Sequence, residues 1–141
     1  MNHNFNFLGR WVDTNDITLL TGFVDIVVYE DEAPSITKEM KLRGKDVKYD
    51  NFNSALLIDS NEYDIYHKMK LTPFGERVPH VEVFTFLTEF IDWGVGISFW
   101  GKGTEQKNLK LPNTSVDIAP IICIESIYPS FVKDFSKKGA N

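Results

Sequence analysis

Residues 116–139 read VDIAPIICIESIYPSFVKDFSKKG and contain the change from strand to helix on which the fold assignment rests. The first part, 116–124, is almost continuously apolar and predicts a strand buried on both faces. A helix is predicted to follow, because Pro129 suits a first helical turn and Gly139 a helix stop. Between them, Phe131, Val132 and Phe135 form one apolar stripe.

The chain before this run is predicted to contain three strands and a helix. Residues 17–29 are rich in β-branched and aromatic side chains and predict a buried strand, in which Gly22 indicates a bulge or a close backbone approach. Residues 52–59 and 63–70 predict a β-hairpin with a polar turn, which puts Tyr66 and Lys68 on one face. Residues 81–92 have the spacing of a short amphipathic helix.

Two segments are predicted to lack regular structure. Residues 30–50 show no sustained period and are interpreted as a surface excursion. Gly94, Gly96, Gly101 and Gly103 predict a mobile or pocket-lining loop, without the glycine spacing of a dinucleotide site. Strands followed by helices, with an apolar strand late in the order, predict an α/β domain in which helices cover a sheet.

Composition limits the possible functions. The 141 residues carry 15 Lys and Arg against 20 Asp and Glu, and the net charge of −5 argues against nucleic-acid binding. The hydrophobic content of 43% is typical of a folded domain, and one domain is expected at this length. No apolar run reaches the roughly 18 residues that span a bilayer, and the first residues lack the pattern of a secretory signal.

Cys123 is the single cysteine, which excludes an internal disulfide. The three histidines are far apart in sequence, so no metal centre is expected. Because Cys123 lies at the carboxyl end of the apolar run, just before a turn into a helix, its setting resembles a nucleophile elbow. The alternative is that it only fills space, as most single cysteines in apolar strands do.

Three separated blocks read YHKMKLTPFGERVP (66–79), IICIESIYP (121–129) and KKGAN (137–141). In this order they resemble the carbon–nitrogen hydrolase, or nitrilase, superfamily, and more narrowly its apolipoprotein N-acyltransferase branch. The Pro-Phe-Gly-Glu core of the first block is the most specific part. Residues 20–23 and 52–58 fit the same branch, so the resemblance extends over nearly the whole chain from about residue 17.

The resemblance implies a nitrilase-type αββα sandwich and four site residues. It makes Cys123 the nucleophile, Lys68 the catalytic lysine, and Glu76 and Glu125 the accompanying acidic residues. A lysine ammonium can stabilise the oxyanion formed when a thiolate attacks a carbonyl, and a nearby carboxylate would keep that ammonium charged. Without the motif, Lys68, Glu76 and Glu125 would each be interpreted as solvated surface residues.

The activity implied by resemblance is acyl transfer through a thioester on Cys123. The acyl donor would be a phospholipid and the acceptor an apolipoprotein, without a cofactor or metal. The enzyme would lie in a bacterial inner membrane, with its catalytic domain on the periplasmic or outer face. It would be held there by helices that these 141 residues do not include.

Residues 1–141 are accordingly expected to form a partial carbon–nitrogen hydrolase domain. The segment with the general-base glutamate, the membrane helices and the C-terminal strands would lie outside it. One difference from the branch is Ile124, which stands where an aromatic residue is common. Two alternatives remain open at this point. One is a soluble nitrilase-type amidase, in which water replaces the amine. The other is an inactive truncated fragment, which is the expectation for these 141 residues in isolation.

Overall fold

The computed structural model describes residues 3–29, 33–34, 37–42, 44–60, 62–73, 75–76 and 100–141. Helix α1 (His3–Asn15) is followed by strands β1 (Leu19–Tyr29), β2 (Lys38–Leu42), β3 (Lys45–Ile58) and β4 (Tyr63–His67). Short strands β5 (Leu109–Lys110) and β6 (Asp117–Ile118), a 3₁₀ helix (Cys123–Ile127) and helix α2 (Pro129–Lys137) complete the described part. Among these residues, no helix has the length and apolar character needed to cross a bilayer.

Strand β3 is the centre of a four-stranded antiparallel sheet. Strand β1 pairs along one edge of it, and β2 and β4 pair with its two halves along the other edge. The β3–β4 hairpin confirms the predicted one, and its turn is closed by the Asp59 amide, which donates to the Glu62 carbonyl at 3.0 Å. The chain is therefore a mixed α/β structure built on an antiparallel sheet.

Each face of the sheet packs against its own helix. Directly paired residues of antiparallel strands share a face, so the two faces can be read from the register. On the first face, Leu56 and Ile58 form a buried cluster with Val12 of α1. On the second face, Leu57 and Tyr66 pack in a cluster with Leu109, Phe131 and Phe135, the last two from α2.

Helix α2 confirms the sequence prediction. It begins with Pro129 in its first turn and buries Phe131 and Phe135. The chain leaves it at Gly139, whose φ of 99° is a left-handed conformation that glycine adopts without strain.

The prediction of a surface excursion at residues 30–50 was wrong, because β2 and the first half of β3 lie there. The charged residues Lys38, Glu39 and Lys41 hid the strand signal. Such charges are common on edge strands, where they block pairing with other chains.

Strand β1 was predicted correctly, but its bulge was not. The pairing runs unbroken through Gly22 and Ala55, and a Cβ on Gly22 would have only the Ser54 carbonyl within 4 Å, at 3.9 Å. The strand is also not buried on both faces, since Leu20, Val24, Ile26 and Val28 are exposed on the second face.

The long strand predicted at residues 116–124 is reduced to the two residues of β6. Pro120 interrupts the run and has no amide hydrogen for a ladder bond. From Cys123 onward the chain turns into the 3₁₀ helix. The helix predicted at residues 81–92, like Gly94 and Gly96, lies outside the described residues.

Candidate active site

Lys68 is the first residue after β4 and is only 1% exposed. Its amide donates to the Asn53 carbonyl at 2.8 Å, and its carbonyl accepts from the Gly103 amide at 2.8 Å. Its backbone is thus held on both sides. Tyr66 and Lys68 are both buried on the second face, as the strand alternation predicted.

The ammonium of Lys68 is paired with Glu76. Its Nζ lies 2.9 Å from Oε1 and 2.7 Å from Oε2 of that carboxylate. Glu76 also accepts from the Thr72 amide at 2.8 Å and from Nδ2 of Asn53 at 3.1 Å. Burial alone would raise the pKa of Glu76, but these hydrogen bonds outweigh burial and hold that pKa below its usual range. Glu76 is therefore an ionised partner of Lys68.

The segment Trp100 to Gly103 links both members of this pair to the sheet. The Trp100 amide donates to the Glu76 carbonyl at 3.0 Å, and the Gly101 amide donates to the Asn51 carbonyl at 2.8 Å. A Cβ on Gly103 would lie 2.1 Å from the His67 carbonyl oxygen, so only glycine fits there. Gly101 and Gly103 thus allow close packing against the strands, in place of the predicted mobile or pocket-lining loop.

Glu125 is completely buried, and its hydrogen bonds go to groups other than the Lys68 ammonium. Its Oε1 accepts from the Tyr66 hydroxyl at 2.8 Å and from the amides of Met69 and Lys70 at 2.7 and 3.1 Å. Its Oε2 accepts from the Ile122 amide at 2.9 Å. One carboxylate therefore ties the end of β4 to the start of the 3₁₀ helix, which we call the Glu125 link.

The Tyr66 hydroxyl is a donor in this link. Burial, and after it the hydrogen bond to Glu125, raises the pKa of the Tyr66 phenol well above its usual range. The phenol therefore keeps its proton at physiological pH and acts as a fixed donor to the carboxylate.

Cys123 is exposed and begins the 3₁₀ helix with a φ of 52°. Left-handed backbone is rare for a residue with a side chain, and such strain is found mostly at functional sites. It lies on a sharp turn, as the elbow interpretation predicted, but after a short extended segment instead of a long strand. Its carbonyl accepts from the Ser126 hydroxyl at 2.9 Å.

The structure thus connects the residues singled out in the sequence through two carboxylates. Glu76 holds the side chain of Lys68, and Glu125 binds the two amides that follow Lys68 while lying two residues after Cys123. The interpretation of Lys68 and Glu125 as solvated surface residues is wrong, because both are buried. Chemically, the arrangement offers an exposed thiol on a turn that is tied to the strand end bearing a buried ammonium.

Sequence reasoning assigned no role to Asn53, Tyr66 or Gly103. The hairpin register could have found Asn53, because the pairing of Ser54 with His67 places Asn53 opposite Lys68. Nothing in the sequence indicated the close approach of Gly103 to His67. Within the described ranges, no group of three or more His, Cys, Asp or Glu residues is placed to hold a metal ion.

Curated proteins named apolipoprotein N-acyltransferase resemble this chain along most of its length. That of Chlorobaculum tepidum is 36% identical over 136 residues, which are 93% of this chain and 24% of that protein. Apolipoprotein N-acyltransferase 1 of Treponema denticola is 33% identical over 138 residues, 94% of this chain and 24% of that protein. The resemblance noted in the sequence is confirmed.

The Aquifex aeolicus apolipoprotein N-acyltransferase is 28% identical over 112 residues, 79% of this chain and 24% of that protein. The chain therefore spans about a quarter of the length of the curated relatives it matches. No family model matches it.

Proposed function

We propose that this chain is the part of an apolipoprotein N-acyltransferase that carries the nucleophile and the catalytic lysine. The single observation that carries the proposal is the buried ion pair of Lys68 and Glu76, at 2.7 Å, in a chain similar to enzymes of that name. A buried ammonium costs several kcal/mol to desolvate. A chain that bears this cost in one place marks a candidate functional site.

In the first half-reaction, the Cys123 thiolate attacks the ester carbonyl of a phospholipid acyl chain. The carbon–sulfur bond forms, the ester carbon–oxygen bond breaks, and the lysophospholipid leaves as an alcohol after taking up a proton. In the second, the α-amine of a diacylglyceryl-cysteine attacks the thioester. The carbon–nitrogen bond forms, the carbon–sulfur bond breaks, and the proton lost by the amine converts the released Cys123 thiolate to a thiol.

Both steps pass through a tetrahedral intermediate with a negative oxygen. We assign its stabilisation to Lys68, since one well-placed donor contributes about 3 to 4 kcal/mol in a site shielded from water. Glu76 favours the charged ammonium and orients it. Glu125 positions the turn that carries Cys123, because its oxygens are already occupied by four donors.

The proposal includes the setting implied by the resemblance. The 141 residues form part of a nitrilase-type αββα sandwich. The general-base glutamate, further strands and membrane helices belong to the full-length protein outside them. That protein would work at the outer face of a bacterial inner membrane, where phospholipid and apolipoprotein are both within reach.

The test is acylation of the full-length protein in phospholipid vesicles, followed by intact-mass and peptide mass spectrometry. We expect the Cys123 peptide to gain one acyl chain, and a synthetic diacylglyceryl peptide to remove it. Cys123→Ser should form no thioester. A matched control, Cys123→Ser combined with Ser130→Cys, moves the thiol to an exposed position on α2. It should also remain unmodified, because exposure of a thiol alone is not sufficient.

An unmodified wild-type protein under these conditions would refute the proposal. Release of free fatty acid with the acceptor peptide unchanged would instead favour the amidase alternative, in which water takes the place of the amine.

A further inference from the structure

The β3–β4 register places Asn53 directly opposite Lys68. Ser54 pairs with His67, so the next residues outward on the two strands are Asn53 and Lys68. The Lys68 amide continues the ladder by donating to the Asn53 carbonyl at 2.8 Å. Paired residues share a face, so the two side chains lie side by side on the second face of the sheet.

The side chain of Asn53 contacts the partner of Lys68. Its Nδ2 donates to Oε1 of Glu76 at 3.1 Å, the same oxygen that accepts from Lys68 Nζ at 2.9 Å. The other oxygen, Oε2, accepts from Lys68 Nζ and from the Thr72 amide. Each carboxylate oxygen therefore has one neutral donor besides the ammonium, and these two donors fix the rotation of the carboxylate.

The amide is the side chain best suited to this position. Among the described residues, Lys68 and Glu76 are the charged groups that contact it or its partner. Glu125 binds Tyr66 and the amides of Met69 and Lys70, which directly follow Lys68. His67 and Asp25 pair with each other on the first face, at 2.8 Å. An amide can donate to Glu76 without charge, so it does not compete with Glu76 for the Lys68 ammonium.

We propose that Asn53 is a positioning residue for acyl transfer, holding the backbone of Lys68 and the carboxylate of Glu76 in one arrangement. The inference rests on the proposed function, and goes beyond it by giving a role to a residue outside the motif blocks that carry the nucleophile and the lysine. Asn53 does not touch the reacting atoms. It acts by keeping the ammonium aimed at the carbonyl that Cys123 attacks.

The decisive variant is Asn53→Asp in the full-length protein, with the rate of thioester formation on Cys123 measured from pH 5 to pH 9. At low pH the new carboxyl is protonated and can still donate to Glu76. At high pH it is ionised, repels Glu76 and competes for Lys68. We expect the ratio of variant to wild-type rate to fall with rising pH, to about 10- to 100-fold below wild type.

Two further variants separate positioning from general effects. Ile26→Asp puts a carboxylate on the same face at an exposed position of β1, and its rate ratio should not change with pH. Asn53→Leu removes the donor without adding charge, and its rate should be lower by a similar factor at every pH. It also keeps the test decisive if thermal unfolding shows that Asn53→Asp does not fold.

Each outcome decides the matter. A wild-type protein that forms no thioester would refute the proposed function, and the inference with it. A wild-type protein that forms the thioester, together with a flat ratio near one for Asn53→Asp or normal turnover of Asn53→Leu, would overturn the inference alone. The same pH dependence in Ile26→Asp would also overturn it, because general electrostatics would then explain the effect.

Discussion

The ammonium group of Lys68 is almost completely removed from water, and neighbouring groups offset the free-energy cost of its desolvation. Glu76 supplies the opposite charge. Besides the ammonium, one Glu76 oxygen accepts from the Asn53 side chain and the other from the Thr72 amide. Removing one partner of such a pair costs more than the pair contributes, because the other charge is left without compensation. Substitutions here are therefore expected to affect both rate and stability.

Lys68→Met should lower the rate of thioester formation by about 100- to 1,000-fold, since methionine fills the space but cannot stabilise an oxyanion. It should also lower the free energy of unfolding by about 1 to 3 kcal/mol, because Glu76 loses its charged donor. Single-turnover acylation and thermal unfolding of the full-length protein measure the two effects. Lys110→Met, at an exposed position of β5, is the control, and a normal rate for Lys68→Met would exclude a catalytic role.

Gly103→Ala tests whether the segment Trp100 to Gly103 fixes Lys68. The added Cβ would lie 2.1 Å from the His67 carbonyl oxygen, so the segment must move and release the Lys68 carbonyl. We expect a loss of about 1 to 3 kcal/mol in stability together with slower acylation. Gly22→Ala is the matched control, because the nearest atom there is 3.9 Å away. Equal stability of the two variants would contradict this account.

Between elements, the Glu125 link is the contact that joins β4 to the 3₁₀ helix. Tyr66 and the Met69 and Lys70 amides approach one oxygen, and the Ile122 amide approaches the other. All four groups donate. A carboxylate suits this position because it accepts at both oxygens and donates at neither.

Glu125→Gln should therefore weaken the link although the side chain keeps its shape. The side-chain oxygen of a glutamine can accept from Tyr66 and from the amides of Met69 and Lys70. Its NH₂ group must then face the backbone amide of Ile122, and two donors with no acceptor between them repel each other. We expect a loss of about 1 to 3 kcal/mol in stability and a roughly tenfold slower acylation. Glu105→Gln, at an exposed position, is the control. An unchanged melting temperature and rate would show that the link positions nothing.

Among the secondary-structure elements, turn residues, helix-end residues and apolar patterns predicted an element correctly where its apolar residues are buried in the fold. The β3–β4 hairpin has a polar turn between apolar strands, and α2 has Pro129 and Gly139 at its two ends. Strand β2 was missed because an exposed edge strand carries charges and buries little. The strand predicted around Pro120 failed because hydrophobicity indicates burial and does not by itself specify a strand.

For the whole molecule, the identities of the candidate residues could be proposed from the motif blocks, but not their contacts. Either Glu76 or Glu125 was expected to lie near the lysine. Glu76 pairs with it, whereas Glu125 binds backbone amides and Tyr66. The sequence could not distinguish these arrangements, because each depends on where segments distant in the chain meet. The catalytic roles of Cys123, Lys68, Glu76 and Glu125 remain predictions.

Acid should destabilise the whole protein partly through Glu76. Its pKa is lower in the folded state than in the unfolded chain, so its contribution is fully present above the ordinary glutamate value of about 4.3. That contribution is lost as the pH falls through the lower folded-state value. The melting temperature of Glu76→Gln should therefore fall less than that of the wild type between roughly pH 5 and pH 3. Parallel pH curves would show that Glu76 is not held in its ionised form.

The left-handed backbone of Cys123 has an evolutionary consequence. With a φ of 52°, this position is one that glycine tolerates better than any residue with a side chain. If Cys123 is the nucleophile, as proposed, selection for its thiol is what opposes that preference. A gene duplicate released from such selection should acquire glycine at this position and gain stability as it loses activity. Glycine here would therefore identify a copy that has lost the activity.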